Sequence, residues 1–166
     1  AHNLEAVGSI PTPATMDNRE KISKLIEIAK GLIGTPYKYG AYLEQNNGAL
    51  AFDCSSFVQH VFKQIEIELP RSSVLQAVAP GQEIKNLELA KPADLIFFEG
   101  NRGHYRHDLF PNRKIYIGHL GIYLGNDEII HATNNSSASG VVIQKISELQ
   151  KEFPEAYKIV MIKRFI

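Results

Sequence analysis

GHLGIYLGNDEIIHAT (residues 118–133) reads as two short strands around a turn. Tyr116–Leu124 and Glu128–Thr133 carry the β-branched and aromatic residues of half-buried strands, and Gly125, Asn126 and Asp127 between them are turn formers. If all three form the loop, a common hairpin length, Leu124 pairs with Glu128, Gly121 with His131 and His119 with Thr133. His119 and His131 then share one face as diagonal neighbours, roughly 7–8 Å apart at Cα, within reach of each other's rings. A two-residue loop without a bulge would put them on opposite faces.

The pattern extends outward on both sides. Leu95–Phe98, between Pro92 and Gly100, and Val141–Gln144 and Ile159–Phe165 also read as strands, with a helix near Ser147–Glu152. Upstream the period lengthens. Asp17 and Glu20 resemble a capping box, Ile22, Leu25, Ile26, Ala29, Leu32 and Ile33 follow helical spacing, and Gly34 and Pro36 end the run. A second helix is expected from near Asp53 to about Gln64. Tyr37–Ala51 reads as a loop, and Pro70–Pro80 as a loop with at most a turn of helix. Residues 1–16, with Pro11, Pro13 and no periodicity, read as an extended arm or linker before one domain over 17–166. Helices first and strands later argue for an α+β domain, its N-terminal helices packed on an antiparallel sheet.

Composition narrows the function classes. The chain has 166 residues, 44% hydrophobic and 22% charged, ordinary for one soluble globular domain. Eighteen basic and eighteen acidic residues give zero net charge, hence no global field for nucleic acid or an anionic membrane surface. No apolar run approaches the roughly 20 residues of a membrane-spanning helix. A single cysteine excludes an internal disulfide and leaves the compartment open. The start at Ala1 suits a chain whose signal peptide has been removed, a trimmed chain or an intracellular protein.

That cysteine is the first candidate for chemistry. On a helix turning about 100° per residue, Cys54 falls between Val61 and Ile65 on the apolar stripe, so it faces whatever the helix packs on. It also stands at the helix N-terminus, where roughly half a positive charge favours a thiolate. Asp53, Ser55 and Ser56 surround it with polar groups that a buried structural cysteine does not need, although either of the first two could serve only as a cap. His119 could take the thiol proton while His131 fixes its ring and tautomer. Two unrelated strand histidines, or metal ligands, are the alternative. His104, His107 and Asp108 could also bind a metal, but their spacing is loose, and the simpler reading is a solvated loop offering Arg102 and Arg106 to substrate carboxylates.

The segments GLIGTPYKYG (31–40), FDCSSFVQHVF (52–62), LPRSSVLQ (69–76), KPADLIFF (91–98) and GHLGIYLGNDEIIHAT (118–133) resemble, in order and spacing, the NlpC family of bacterial cell-wall cysteine peptidases. The resemblance implies a papain-like fold with Cys54 as nucleophile, His119 as base and His131 as orienting residue. It implies that Tyr37 and the Cys54 N–H serve the oxyanion, that Asp53 and Ser55 bind a free amino end of a wall peptide, and that Arg71, Ser72 and Gln76 line the cleft. The implied activity is cleavage of amide bonds in peptidoglycan stem peptides or muropeptides, by default between D-γ-glutamate and diaminopimelate or lysine. No metal or organic cofactor is implied. The protein is expected to be monomeric and periplasmic or secreted. An amidase, an acyl hydrolase or transferase, and a non-catalytic wall-binding module of the same fold are the rival expectations. The chain departs from the family at Ser56, where Gly is usual, and at Tyr39, where Trp is frequent. It also has a long loop over 42–51 and an insertion between Phe98 and His119.

Overall fold

The structure, a computed structural model, describes residues 10–41 and 49–166. The expected arm over 1–16 therefore lies outside the described residues for positions 1–9, as does the long loop for positions 42–48.

The first three helices each begin at a residue whose side chain accepts from an unpaired N–H group. Asp17 caps α1 (Asn18–Gly31), accepting from the Glu20 N–H at 2.8 Å. The helix stops sooner than its apolar spacing suggests: Leu32 is the C-cap and Ile33 is exposed. Asp53 caps α2 (Cys54–Lys63) with a full capping box, Oδ1 accepting from the Ser56 N–H at 2.9 Å and Ser56 Oγ accepting from the Asp53 N–H at 3.0 Å. Within 70–80 a complete helix forms, α3 (Ser73–Val78), capped by Ser72. α4 is Ile146–Glu152.

Among the described residues there are six antiparallel strands: β1 (Gln82–Glu83), β2 (Leu95–Phe98), β3 (His119–Gly125), β4 (Glu128–Asn134), β5 (Ser139–Lys145) and β6 (Ile159–Arg164), in spatial order β1-β6-β2-β3-β4-β5. β1 and a 3₁₀ turn at Leu87–Leu89 are unexpected additions, too short to show any period in the sequence. The expected first hairpin strand also begins late, at His119 rather than Tyr116. The architecture is α+β, as expected.

Alternation divides the sheet into two faces. Leu120, Ile122, Ile130 and Ala132 belong to the core beneath α1 and α2, together with Leu25, Phe57, Val58, Val61 and Phe62. Phe98, Tyr123 and Ile129 face the other way and pack with Ile146 and Leu149 of α4 and with Tyr157. His119 and His131 alternate with the first set, so they lie on this second face, opposite α2.

The hairpin corrects the three-residue loop. Gly125 pairs with Glu128, leaving a two-residue loop of Asn126 (φ +50°) and Asp127 (φ +66°), the positive-φ pair of a type I′ turn. Left regular, that turn would separate the histidines. A bulge between Tyr123 and Gly125 makes Leu124 an extra residue and restores Tyr123↔Ile129 and Ile122↔Ile130. The register inward of the bulge is the expected one. Gly121 faces His131 there: a Cβ on Gly121 would stand 3.2 Å from that of His131.

Phe57 has no exposed surface and anchors the helix that carries Cys54. Phe57→Ala is expected to lower the unfolding free energy by ~3–5 kcal/mol, read as a reduced urea midpoint at unchanged slope.

Candidate active site

Two cavities meet at His119. One, of about 610 Å³, is walled by Asp53, Cys54, Ser55, Arg71 and Ser72, and His104 reaches its rim. The other, of about 720 Å³, is walled by Thr133, Asn135, Phe153 and Tyr157. Tyr37, Tyr39, Arg102, Gly118 and His119 line both. The structure thus brings Tyr37, Asp53, Cys54, Ser55, Arg71, Ser72 and His119 to one cleft; His131 lies fully buried behind His119, and Gln76, expected to line the cleft, is fully buried and does not.

Cys54 opens α2, half-buried, its sulfur within reach of the backbone N–H groups of Leu120 and Ser55. His119 is the first residue of β3, so it reaches the thiol's cavity from the strand end although its side chain belongs to the opposite sheet face. Its Nε2 lies 2.7 Å from Nδ1 of His131, and Nε2 of His131 lies 2.9 Å from Oε1 of Gln144 on β5. With Nε2 committed, Nδ1 is the nitrogen of His119 left for the thiol. Phe98 stacks on His119 at 6.0 Å, and Tyr157 packs edge-on at 5.6 Å. The Tyr157 hydroxyl is held within 3.3 Å of both Thr133 Oγ1 and Asn135 Nδ2.

Asp53, Ser55 and Arg71 bond to one another as well as lining the cleft. Arg71 donates from Nη2 to Asp53 Oδ2 at 2.7 Å and to the Ala41 carbonyl at 3.0 Å, and from Nη1 to Ser55 Oγ at 2.8 Å. Gln76 ties this group to the start of α3, donating to the carbonyls of Ser55 and Pro70. Burial opposes the Asp53 charge, but the Arg71 guanidinium and the Ser56 N–H outweigh it and hold the carboxyl below its ordinary range. Tyr37 makes no side-chain hydrogen bond among the described residues. Burial first, then the neighbouring Cys54 and Asp53, push its pKa up to about 12, so it stands as a neutral O–H donor.

Burial also dominates the reacting pair. It pushes the Cys54 thiol up to about 12, with the Asp53 carboxylate adding to the effect and the Leu120 and Ser55 N–H groups opposing it. His119 is driven well below 6.5 by burial and by His131. His131 falls to about 4, again by burial, with the Gln144 hydrogen bond opposing. The cleft therefore holds a neutral thiol and a neutral imidazole, opposite to the thiolate that the helix terminus alone would favour.

Within the insertion, Asp108 is paired with Arg106, and the Tyr105 hydroxyl lies 3.1 Å from His107 Nδ1. Among the described residues no group of three His, Cys, Asp or Glu side chains is placed to hold a metal ion. Gln144 and Tyr157 carry no local motif. Gln144 does lie in an expected strand, two residues on from Val142, the partner of His131, and a register for that pair of strands would have found it.

Residues 34–160 match the sequence model of the NlpC/P60 family. Among curated relatives, the probable endopeptidase p60 of Listeria innocua is 37% identical over 111 residues, covering 67% of this chain and 20% of that protein. The Listeria grayi p60 is 33% identical over 145 residues, 87% of this chain and 24% of its own length. The murein DD-endopeptidase MepS/murein LD-carboxypeptidase of Escherichia coli strain K12 is 29% identical across 93% of this chain and 76% of its own. The chain thus spans about a fifth of the length of the p60 relatives. An NLP/P60-family structure from Staphylococcus aureus superposes with a TM-score of 0.64 at 26% identity, covering 95% of this chain and 44% of that one. The peptidoglycan hydrolase RipB of Mycobacterium tuberculosis gives 0.65 at 23% identity, 99% and 78%, a likeness of fold. No helix among the described residues is long and apolar enough to cross a membrane.

Both histidines bind protons more weakly folded than unfolded, so the stability they contribute is complete above about pH 6.5 and is lost as pH falls towards 4. The melting temperature is expected to drop over that window, and less steeply in His131→Asn; equal slopes would count against the buried neutral pair.

Proposed function

The chain belongs to the NlpC/P60 family, and from that premise we propose that it is a cysteine peptidase cleaving amide bonds in peptidoglycan stem peptides. The observation that carries this reading is the 2.7 Å contact of the buried His131 with His119, which lines the same cleft as Cys54. Cys54 is the nucleophile, His119 the base and His131 the residue that orients it.

As Sγ of Cys54 attacks the carbonyl carbon, Nδ1 of His119 takes the thiol proton. Neutral partners suit this, because charge then appears only as the bond forms. The oxyanion meets the Tyr37 hydroxyl and the Cys54 N–H at the head of α2. When the tetrahedral intermediate collapses, the C–N bond breaks and His119 returns its proton to the leaving amine. Water then attacks the thioester, His119 takes a proton from it, and the thiol is regenerated. These steps call on the chain's own side chains, the Cys54 N–H and water, with no metal or organic cofactor.

Asp53, Ser55, Arg71 and Ser72 wall the side of the cleft that we assign to the acyl half, and the cavity of Thr133, Asn135 and Tyr157 takes the leaving half. The default scissile bond is D-γ-glutamyl to diaminopimelate or lysine. The 29% identity to a murein DD-endopeptidase over 76% of its length makes a D,D-peptide bond of murein the competing bond. Peptidoglycan as substrate carries with it an extracytoplasmic location, periplasmic or secreted.

Mass spectrometry of purified muropeptides after digestion tests the proposal. Cleavage within the stem peptide is expected, and Cys54→Ala should lower kcat by on the order of 10⁴-fold or more. Release only at the bond between sugar and L-alanine, or undiminished cleavage by Cys54→Ala, overturns it.

A further inference from the structure

Beyond the three residues of that reading, on which this inference rests, we infer that Gln144 is a positioning residue: its amide oxygen fixes the tautomers of both histidines so that His119 presents an unprotonated Nδ1 to Cys54. A neutral imidazole has one N–H and one lone pair, and an amide oxygen only accepts. Oε1 of Gln144 lies 2.9 Å from Nε2 of His131, so that nitrogen carries the proton and Nδ1 of His131 carries the lone pair. The 2.7 Å contact then requires His119 to donate from Nε2. Nδ1 of His119 is left as the base. Burial keeps both rings neutral, so each has only one proton to place.

Without Gln144 the inner contact is satisfied equally well in reverse, with His131 donating from Nδ1 to Nε2 of His119. That arrangement puts a proton on the nitrogen that must accept one, and the site is inert. The rings packed on His119, Phe98 and Tyr157, do not choose between the two states, because the Tyr157 hydroxyl is engaged with Thr133 and Asn135. The choice is made on β5, by a side chain that touches neither the thiol nor the cleft lining.

Nitrogen-15 spectra of the histidine rings in the intact chain at pH 7.5 read the tautomers directly, without substrate. Both His119 and His131 are expected to be protonated at Nε2. Gln144→Glu keeps an acceptor and should retain both tautomers and the rate of Cys54 alkylation. Gln144→Met removes it and should give mixed tautomers, with alkylation slowed roughly tenfold or more, a part of the usual effect of a general base. A wild-type His131 protonated at Nδ1 overturns the inference, as does a Gln144→Met variant with unchanged tautomers and unchanged alkylation. Neither readout involves wall fragments, so a chain that passes here yet leaves muropeptides intact refutes the proposed activity and not the role of Gln144.

Discussion

The site depends on one extra residue in one strand. A type I′ turn at Asn126-Asp127 matches the twist of the hairpin, but on its own it would set His119 and His131 on opposite faces of the sheet. Leu124, bulged out of β3, corrects the count and gives the histidines a common face. Gly121 then leaves the space that the His131 side chain needs, and Val142 and Gln144 follow in register on β5. The contact of 2.7 Å between the rings is a consequence of that count.

The second constraint is burial. A charge at the head of a helix gains ~0.3–2 kcal/mol from the dipole, less than the several kcal/mol that removing an unpaired charge from water costs. At Cys54 burial prevails and the thiol stays protonated at rest. The same environment holds His119 and His131 neutral, so the proton has somewhere to go when the thiol attacks. The polarised N–H at the start of α2 acts best on negative charge that develops later, on the oxyanion rather than on the resting sulfur.

Features set by neighbours in the chain were legible in the sequence. Asp53 and Ser56 announce the start of α2, and the apolar stripe places Cys54 against the sheet. The alternating runs around Gly125 give the hairpin and, with the odd count, the shared face of the histidines. What escaped depends on distance. β1 exists because β6 offers it an edge, and α3, although Ser72 caps it locally, is held because Gln76 reaches back to the Ser55 carbonyl. The bulge was not distinguishable from a longer loop, since both give the same count. Gln144 and Tyr157 reach the histidines only after β5 and the segment preceding β6 are docked, and nothing adjacent to either marks it. The Asp53–Arg71–Ser55 network likewise joins residues selected separately for the cleft into one bonded group.

The most direct measurement on the Cys54–His119 couple is the pH dependence of Cys54 alkylation by iodoacetamide, with and without His119. If His119 takes the thiol proton, the rate reaches its plateau through a step below pH 6.5, where His119 loses its own proton, and His119→Ala abolishes that step. A rate that climbs only above about pH 8.5, as for a lone thiol, and is unaffected by His119→Ala contradicts the couple.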